Sequence, residues 1–133
     1  MIVGIPKEVK DNEYRVAATP EGARELVHAG HRVVVEASAG AGSSIADDDY
    51  RAAGAEILPD ADAVFADADL IVKVKEPQPQ EYARFRDGQL LFTYLHLAAD
   101  ETLTRFLMER KVASVAYETV QKADGKLPLL APM

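Results

Sequence analysis

The chain has 133 residues, 48% of them hydrophobic, which fits one domain burying roughly two-thirds of its unfolded surface and speaks against disorder. Its 15 Lys and Arg face 22 Asp and Glu, a net charge of −7, so it lacks the basic balance of a nucleic-acid binder and an anionic ligand would need a local basic pocket. The absence of cysteine removes disulfides, thiolate metal sites and a cysteine nucleophile; the start MIVGIPKEVK is too quickly charged for a signal peptide and no apolar run approaches a membrane span, so a soluble cytoplasmic protein with no membrane partner is the default.

Ile2–Ile5 reads as a short strand stopped by Pro6, and the charged stretch KEVKDNEYRV as a loop. Thr19-Pro20-Glu21 is a helix start, with a hydroxyl cap, proline at the first helical position and an acid in the first turn; Ala23, Leu26 and Val27 keep helical spacing until Gly30 stops it. His31–Glu36 is a second strand, its β-branched run suited to a buried parallel sheet. The loop Ala39–Ser44 follows, with Gly40 and Gly42; a G-x-G-x-x-G fingerprint needs a third glycine at position 45, which is Ile, so a flexible connector is the better account. Asp47–Ala53 reads as a helix ending at Gly54, Glu56–Leu58 as a brief strand, and Asp60–Ala66 as a helix capped by Asp60 or Asp62.

Leu70–Val74 is the third main strand, Gln80–Phe85 a short helix, and Leu90–Tyr94 the fourth main strand. This last run is apolar or aromatic at nearly every position, the pattern of a strand covered on both faces. Asp100–Arg110 is the longest helix, with Leu103, Phe106 and Leu107 on one face, and Val112–Tyr117 a fifth main strand. The alternation predicts a doubly wound, mainly parallel α/β sheet, flavodoxin-like or Rossmann-like, with right-handed crossovers. The apolar end LPLLAPM reads either as a last edge strand or, preferred, as a larger protein cut at a domain boundary.

Three basic side chains follow strand ends: Arg15, Lys75 and His96. In a parallel sheet these loops share the carboxyl edge, where ligands bind. A guanidinium grips a carboxylate with two hydrogen bonds, a lysine donates to a carbonyl oxygen, and a histidine exchanges a proton near neutral pH. Together they suit a small 2-oxo acid. Each also has a bland account: a solvated arginine, a surface lysine, a satisfied structural histidine. Glu118, after the fifth main strand, could orient a neighbour or simply lie on the surface.

The segments GIPKEVKDNEYRVAATP (Gly4–Pro20), KVKEP (Lys73–Pro77), FTYLHLAA (Phe92–Ala99) and AYETVQKADGKLPLLAPM (Ala116–Met133) together resemble the amino-terminal part of bacterial alanine dehydrogenases, a family that includes NAD(P) transhydrogenases. The resemblance spans the chain, and the histidine of YLHL favours the dehydrogenase branch. It implies a two-domain, homo-oligomeric enzyme interconverting L-alanine with pyruvate, ammonia and NADH. It implies that Arg15 and Lys75 bind pyruvate, that His96 and Lys75 serve catalysis with His96 as acid/base, and that Tyr94 and Met133 adjoin substrate and nicotinamide. The family's cofactor domain follows LLAPM, and a later segment returns to complete the first domain. The chain is therefore expected to be the substrate-binding domain alone, without bound NAD or dehydrogenase activity, and with apolar surface that promotes self-association. A transhydrogenase-type domain and a non-catalytic flavodoxin-like anion-binding module are the alternatives.

Overall fold

The computed structural model describes residues 1–133. Six strands form one parallel sheet: β1 Ile2–Ile5, β2 Arg32–Glu36, β3 Glu56–Leu58, β4 Leu70–Val72, β5 Leu90–Thr93 and β6 Ala113–Ala116, in the order β3-β2-β1-β4-β5-β6. That is the doubly wound, Rossmann-like order, and it reverses direction between β1 and β4.

The connections carry four α-helices: α1 Pro20–His28, α2 Asp47–Ala52, α3 Ala61–Asp67 and α4 Glu101–Glu109. The caps expected at Thr19 and Asp60 form, and Asp100 adds a third. Thr19 Oγ1 accepts from Gly22 N at 3.2 Å, Asp60 from Ala63 N at 2.8 Å and Asp100 from Leu103 N at 2.9 Å, each satisfying an amide that the helix leaves free. Residues 79–84 form a 3-10 rather than an α-helix. A period of three aims Tyr82 and Phe85 the same way, and both meet Phe106 of α4, with ring centroids at 4.2 and 5.6 Å.

α1 and α2 lie on one face of the sheet. There Ile5, Val33 and Val35 pack with Ala23, Tyr50 and Ala55. The chain changes sides after β3, so the other face packs Val34, Ile71 and Leu91 against Phe65, Leu103 and Phe106. This division corrects the expectation that Leu90–Tyr94 is covered on both faces. Leu91 and Thr93 are buried, whereas Leu90 and Phe92 are half-buried, because α1 and α2 reach only β1 to β3. Beyond them Leu70, Leu90, Phe92 and Val115 line an open apolar groove of about 390 Å³, with Val115 52% exposed. This part of the sheet face is apolar and uncovered.

Two smaller expectations also change. Residues 127–133 are not an edge strand: Ala131 N bonds Leu127 O and Met133 N bonds Leu130 O, which makes turns. Gly40 and Gly42 are not a flexible connector. They sit in and beside a 3-10 turn, Ala41–Ser43, and a side chain at Gly42 would lie 2.7 Å from the Tyr14 carbonyl oxygen.

Candidate functional site

The loops after β1, β4 and β5 all emerge at the carboxyl edge of the sheet, two of them flanking the point where the strand order reverses. Arg15 lines two cavities there. One, of about 410 Å³, is formed by residues 10–15 with Lys75; the other, of about 500 Å³, is largely apolar and includes Phe92, Tyr94, Tyr117, Leu129 and Met133. Arg15 is thus brought together with Lys75 on one side and with Tyr94 and Met133 on the other. His96 stands at the same edge but lines neither cavity.

The Arg15 loop is held from outside. Gly42 lets the turn after β2 approach Tyr14 directly, and Ser43 Oγ donates to Tyr14 O at 3.0 Å. The Arg15 guanidinium is paired with Glu13, Nε to Oε2 at 3.0 Å and Nη2 to Oε1 at 2.7 Å. These bonds to Arg15, with the nearby Lys75 ammonium adding to them, hold the Glu13 carboxyl down at about 2. The same pairing raises the Arg15 pKa.

Lys75 is fixed through its backbone. Its N–H donates to Glu8 Oε1 at 2.8 Å and its carbonyl accepts from Thr93 Oγ1 at 3.0 Å. Its ammonium belongs to none of the chain's ion pairs. Behind it, Lys73 is 1% exposed and lies 3.2 Å from both Glu8 and Glu81, whose side chains are equally buried. Burial pushes the Glu8 carboxyl above its usual range, against the pull of Lys73 and of the amides it accepts from. This buried triad ties the β1 loop, the β4 loop and the 3-10 helix together, and sequence reasoning passed over it. The available signal was Lys73 itself, a lysine closing an apolar run, which a sheet interior tolerates only with carboxylate partners.

His96 adopts left-handed backbone angles, φ 49° and ψ 43°. Glu118 accepts from its amide at 2.8 Å and from that of Leu95 at 3.0 Å. Burial opposes the charge on Glu118, but these amide bonds outweigh it and hold the carboxyl below its ordinary value. Tyr94 Oη donates to Leu129 O at 2.7 Å, and its ring meets Tyr117 edge-on at 4.7 Å. That bond closes residues 129–133 over the apolar cavity. Tyr117, in turn, has its phenol raised by burial.

No group of acidic or histidine side chains is placed to hold a metal. A dinucleotide does not fit this chain's own strand-to-helix turns. Residues 6–19 contain no glycine, and a Cβ at Gly40 or Gly42 would meet Ile45 or Tyr14 atoms at 2.8 and 2.7 Å, so those glycines are filled by protein and leave no cradle for a pyrophosphate. Leu129 and Met133 offer only an apolar rim.

The order of strands and the polar cavity at its reversal, where Lys10, Arg15 and Lys75 meet Asp11 and Glu13, define a Rossmann-like α/β domain. Residues 4–133 match the family model for the alanine dehydrogenase/PNT N-terminal domain. The whole chain is 59% identical to an alanine dehydrogenase of Mycolicibacterium smegmatis and 56% identical to one of Methanococcus maripaludis, covering 36% of each. Among solved structures, an L-alanine dehydrogenase superposes with a TM-score of 0.96 at 48% identity over 99% of this chain and 36% of its own. A transhydrogenase from Sinorhizobium meliloti gives 0.83 at 36% identity, over 89% of this chain and 35% of its own. The chain belongs to the alanine dehydrogenase/PNT N-terminal domain family, and spans just over a third of the length of the relatives it matches.

Proposed function

We propose that this chain is the substrate-binding domain of an L-alanine dehydrogenase, which converts L-alanine, NAD⁺ and water to pyruvate, ammonium, NADH and a proton. The observation that carries the reading is the convergence of Arg15 and Lys75 on one cavity at the switch point between β1 and β4. The likeness to alanine dehydrogenases over all 133 residues supports it. Arg15 holds the carboxylate of pyruvate, sharing its guanidinium with Glu13. Lys75, its backbone pinned and its ammonium unpaired, donates to the carbonyl oxygen. His96 exchanges the proton at that oxygen. Tyr94 and Met133 bound the site on its apolar side, next to where a nicotinamide would lie. NAD, when bound, supplies the hydride acceptor; it is held by another part of the parent protein, and the chain alone has no dehydrogenase activity. The parent works in the cytoplasm as a homo-oligomer; no helix in this chain is long and apolar enough to cross a membrane.

The test is a pyruvate titration of the chain followed by two-dimensional NMR, with a chloride-matched control and a Lys75→Ala variant. Saturable shifts around Arg15, Lys75 and His96 that vanish in the variant are expected. Shifts that persist in the variant, or none at all, would sink the assignment for this domain. In parallel, NADH consumption by the isolated chain with pyruvate and ammonium would contradict its predicted inactivity.

A further inference from the structure

We propose that Glu118 is a positioning residue for His96, holding the left-handed turn after β5 that aims the imidazole. The inference rests on the dehydrogenase reading for its catalytic consequence, though not for its geometry. The β5 ladder ends at Thr93, and three residues later the backbone has crossed into the left-handed region at a residue with a Cβ, where few side chains go. Left-handed φ at this point swings the Cα–Cβ bond of His96 to a direction that an extended or right-handed residue would not reach. The imidazole makes no hydrogen bond within the chain; His96 bonds only through its amide, to Glu118, and its carbonyl, to Ala99 N. The backbone therefore sets the direction in which the exposed ring leaves the chain.

Glu118 holds that backbone. It arrives on a different strand, in the 3-10 turn Tyr117–Thr119 that follows β6. One oxygen, Oε1, accepts from both Leu95 N at 3.0 Å and His96 N at 2.8 Å, and Oε2 adds a longer bond to Leu95 N at 3.3 Å. Two successive amides converging on one anion form a nest, which needs the acceptor to keep both N–H groups satisfied. Leu95 is 2% exposed and its bond to Glu118 is part-buried, so loss of the acceptor leaves its amide short of a partner. The turn then relaxes, and His96 moves with it. Because its carboxylate is committed to these amides, Glu118 acts through His96 rather than on the substrate.

Glu118→Met and Glu118→Gln discriminate. Methionine keeps the length and removes the acceptor; glutamine keeps a carbonyl oxygen in the Oε1 position that bridges both amides. The variants are compared in the full-length dehydrogenase carrying this chain, with Lys75→Ala as the control on the site. Glu118→Met should lose about 10- to 100-fold in kcat with KM for pyruvate within about twofold, the mark of misplaced chemistry with intact binding. Glu118→Gln should recover kcat to within about threefold of the unaltered enzyme, since the two-amide acceptor is retained. Equal kcat in Glu118→Met and the unaltered enzyme, or a joint loss of kcat and KM that glutamine does not rescue, would overturn the positioning role. If the unaltered enzyme shows no pyruvate-dependent NADH oxidation, the dehydrogenase reading fails instead. The geometry is then read separately in this chain. A strong intraresidue Hα–HN Overhauser effect at His96, the signature of positive φ, should survive Glu118→Gln and fade in Glu118→Met; its persistence in Glu118→Met overturns the inference whatever the reaction.

Discussion

Replacing Lys73 by methionine should destabilise this chain far more than any surface substitution. The ammonium lies 3.2 Å from each of two carboxylates, and all three side chains are 1% exposed. Methionine fills similar space but leaves Glu8 and Glu81 buried together without a counter-charge, which costs about 3–5 kcal/mol when one partner of a buried ion pair is removed. The combined variant Lys73→Met, Glu8→Gln, Glu81→Gln removes every charge from the cluster. It should recover to within about 1 kcal/mol of the unaltered chain, because replacing a whole buried ion cluster by neutral groups is often close to neutral. Urea unfolding followed by far-ultraviolet circular dichroism at pH 7 measures both. The deficit of the single variant should also shrink on acidification. Burial already holds the Glu8 carboxyl above its ordinary value against the pull of Lys73, so without Lys73 the folded state gains stability as pH falls through that raised value. A single variant that loses less than about 1 kcal/mol, or a triple variant no better than the single, would refute the claim that the cluster is held by its charges.

Glu13 has the opposite sign. Its carboxyl is held at about 2 in the fold by Arg15, against a usual 4.5, so the stability it contributes is complete above pH 4.5 and is lost as pH falls toward 2. In Glu13→Gln the loss of stability between pH 5 and pH 3, read by urea unfolding, should be smaller than in the unaltered chain. Gly42→Ala should displace the Arg15 loop, since the new Cβ would lie 2.7 Å from Tyr14 O. An overpacking cost of about 1–3 kcal/mol is expected, with weaker pyruvate affinity in the NMR titration and an unchanged far-ultraviolet spectrum. Val115→Thr, on the bare sheet face where Val115 is 52% exposed, should change stability by no more than about 0.5 kcal/mol while lowering self-association measured by sedimentation velocity.

Local chemistry made much of this fold readable. The Thr19-Pro20-Glu21 start, the cap Asp60 and the β-branched run of β2 each act within a few residues, and the structure reproduces them. The strand order was not readable, because it depends on where α3 carries the chain after β3. That same crossing explains the misreading of Leu90–Tyr94: an apolar run looks alike whether a second layer covers it or not. That Arg15 and Lys75 share one edge of the sheet was legible because each follows a strand end. The buried triad escaped because Glu8 and Lys73 are 65 positions apart, and no periodicity links them. Gly42 was misassigned because its neighbour, Tyr14, comes from another loop.

The reversal of strand order at β1 also sets when the crevice can exist. Val3 meets Val33 of β2 across 30 positions but Leu70 of β4 across 67, and closing the longer loop costs about 0.7 kcal/mol more in chain entropy. The half made of β1, β2 and α1 can therefore assemble before β4 docks. The Lys73–Glu8 contact and the Lys75 cavity come with that later docking. In stopped-flow experiments, then, damage to the triad should appear mainly as faster unfolding, with the folding rate little changed.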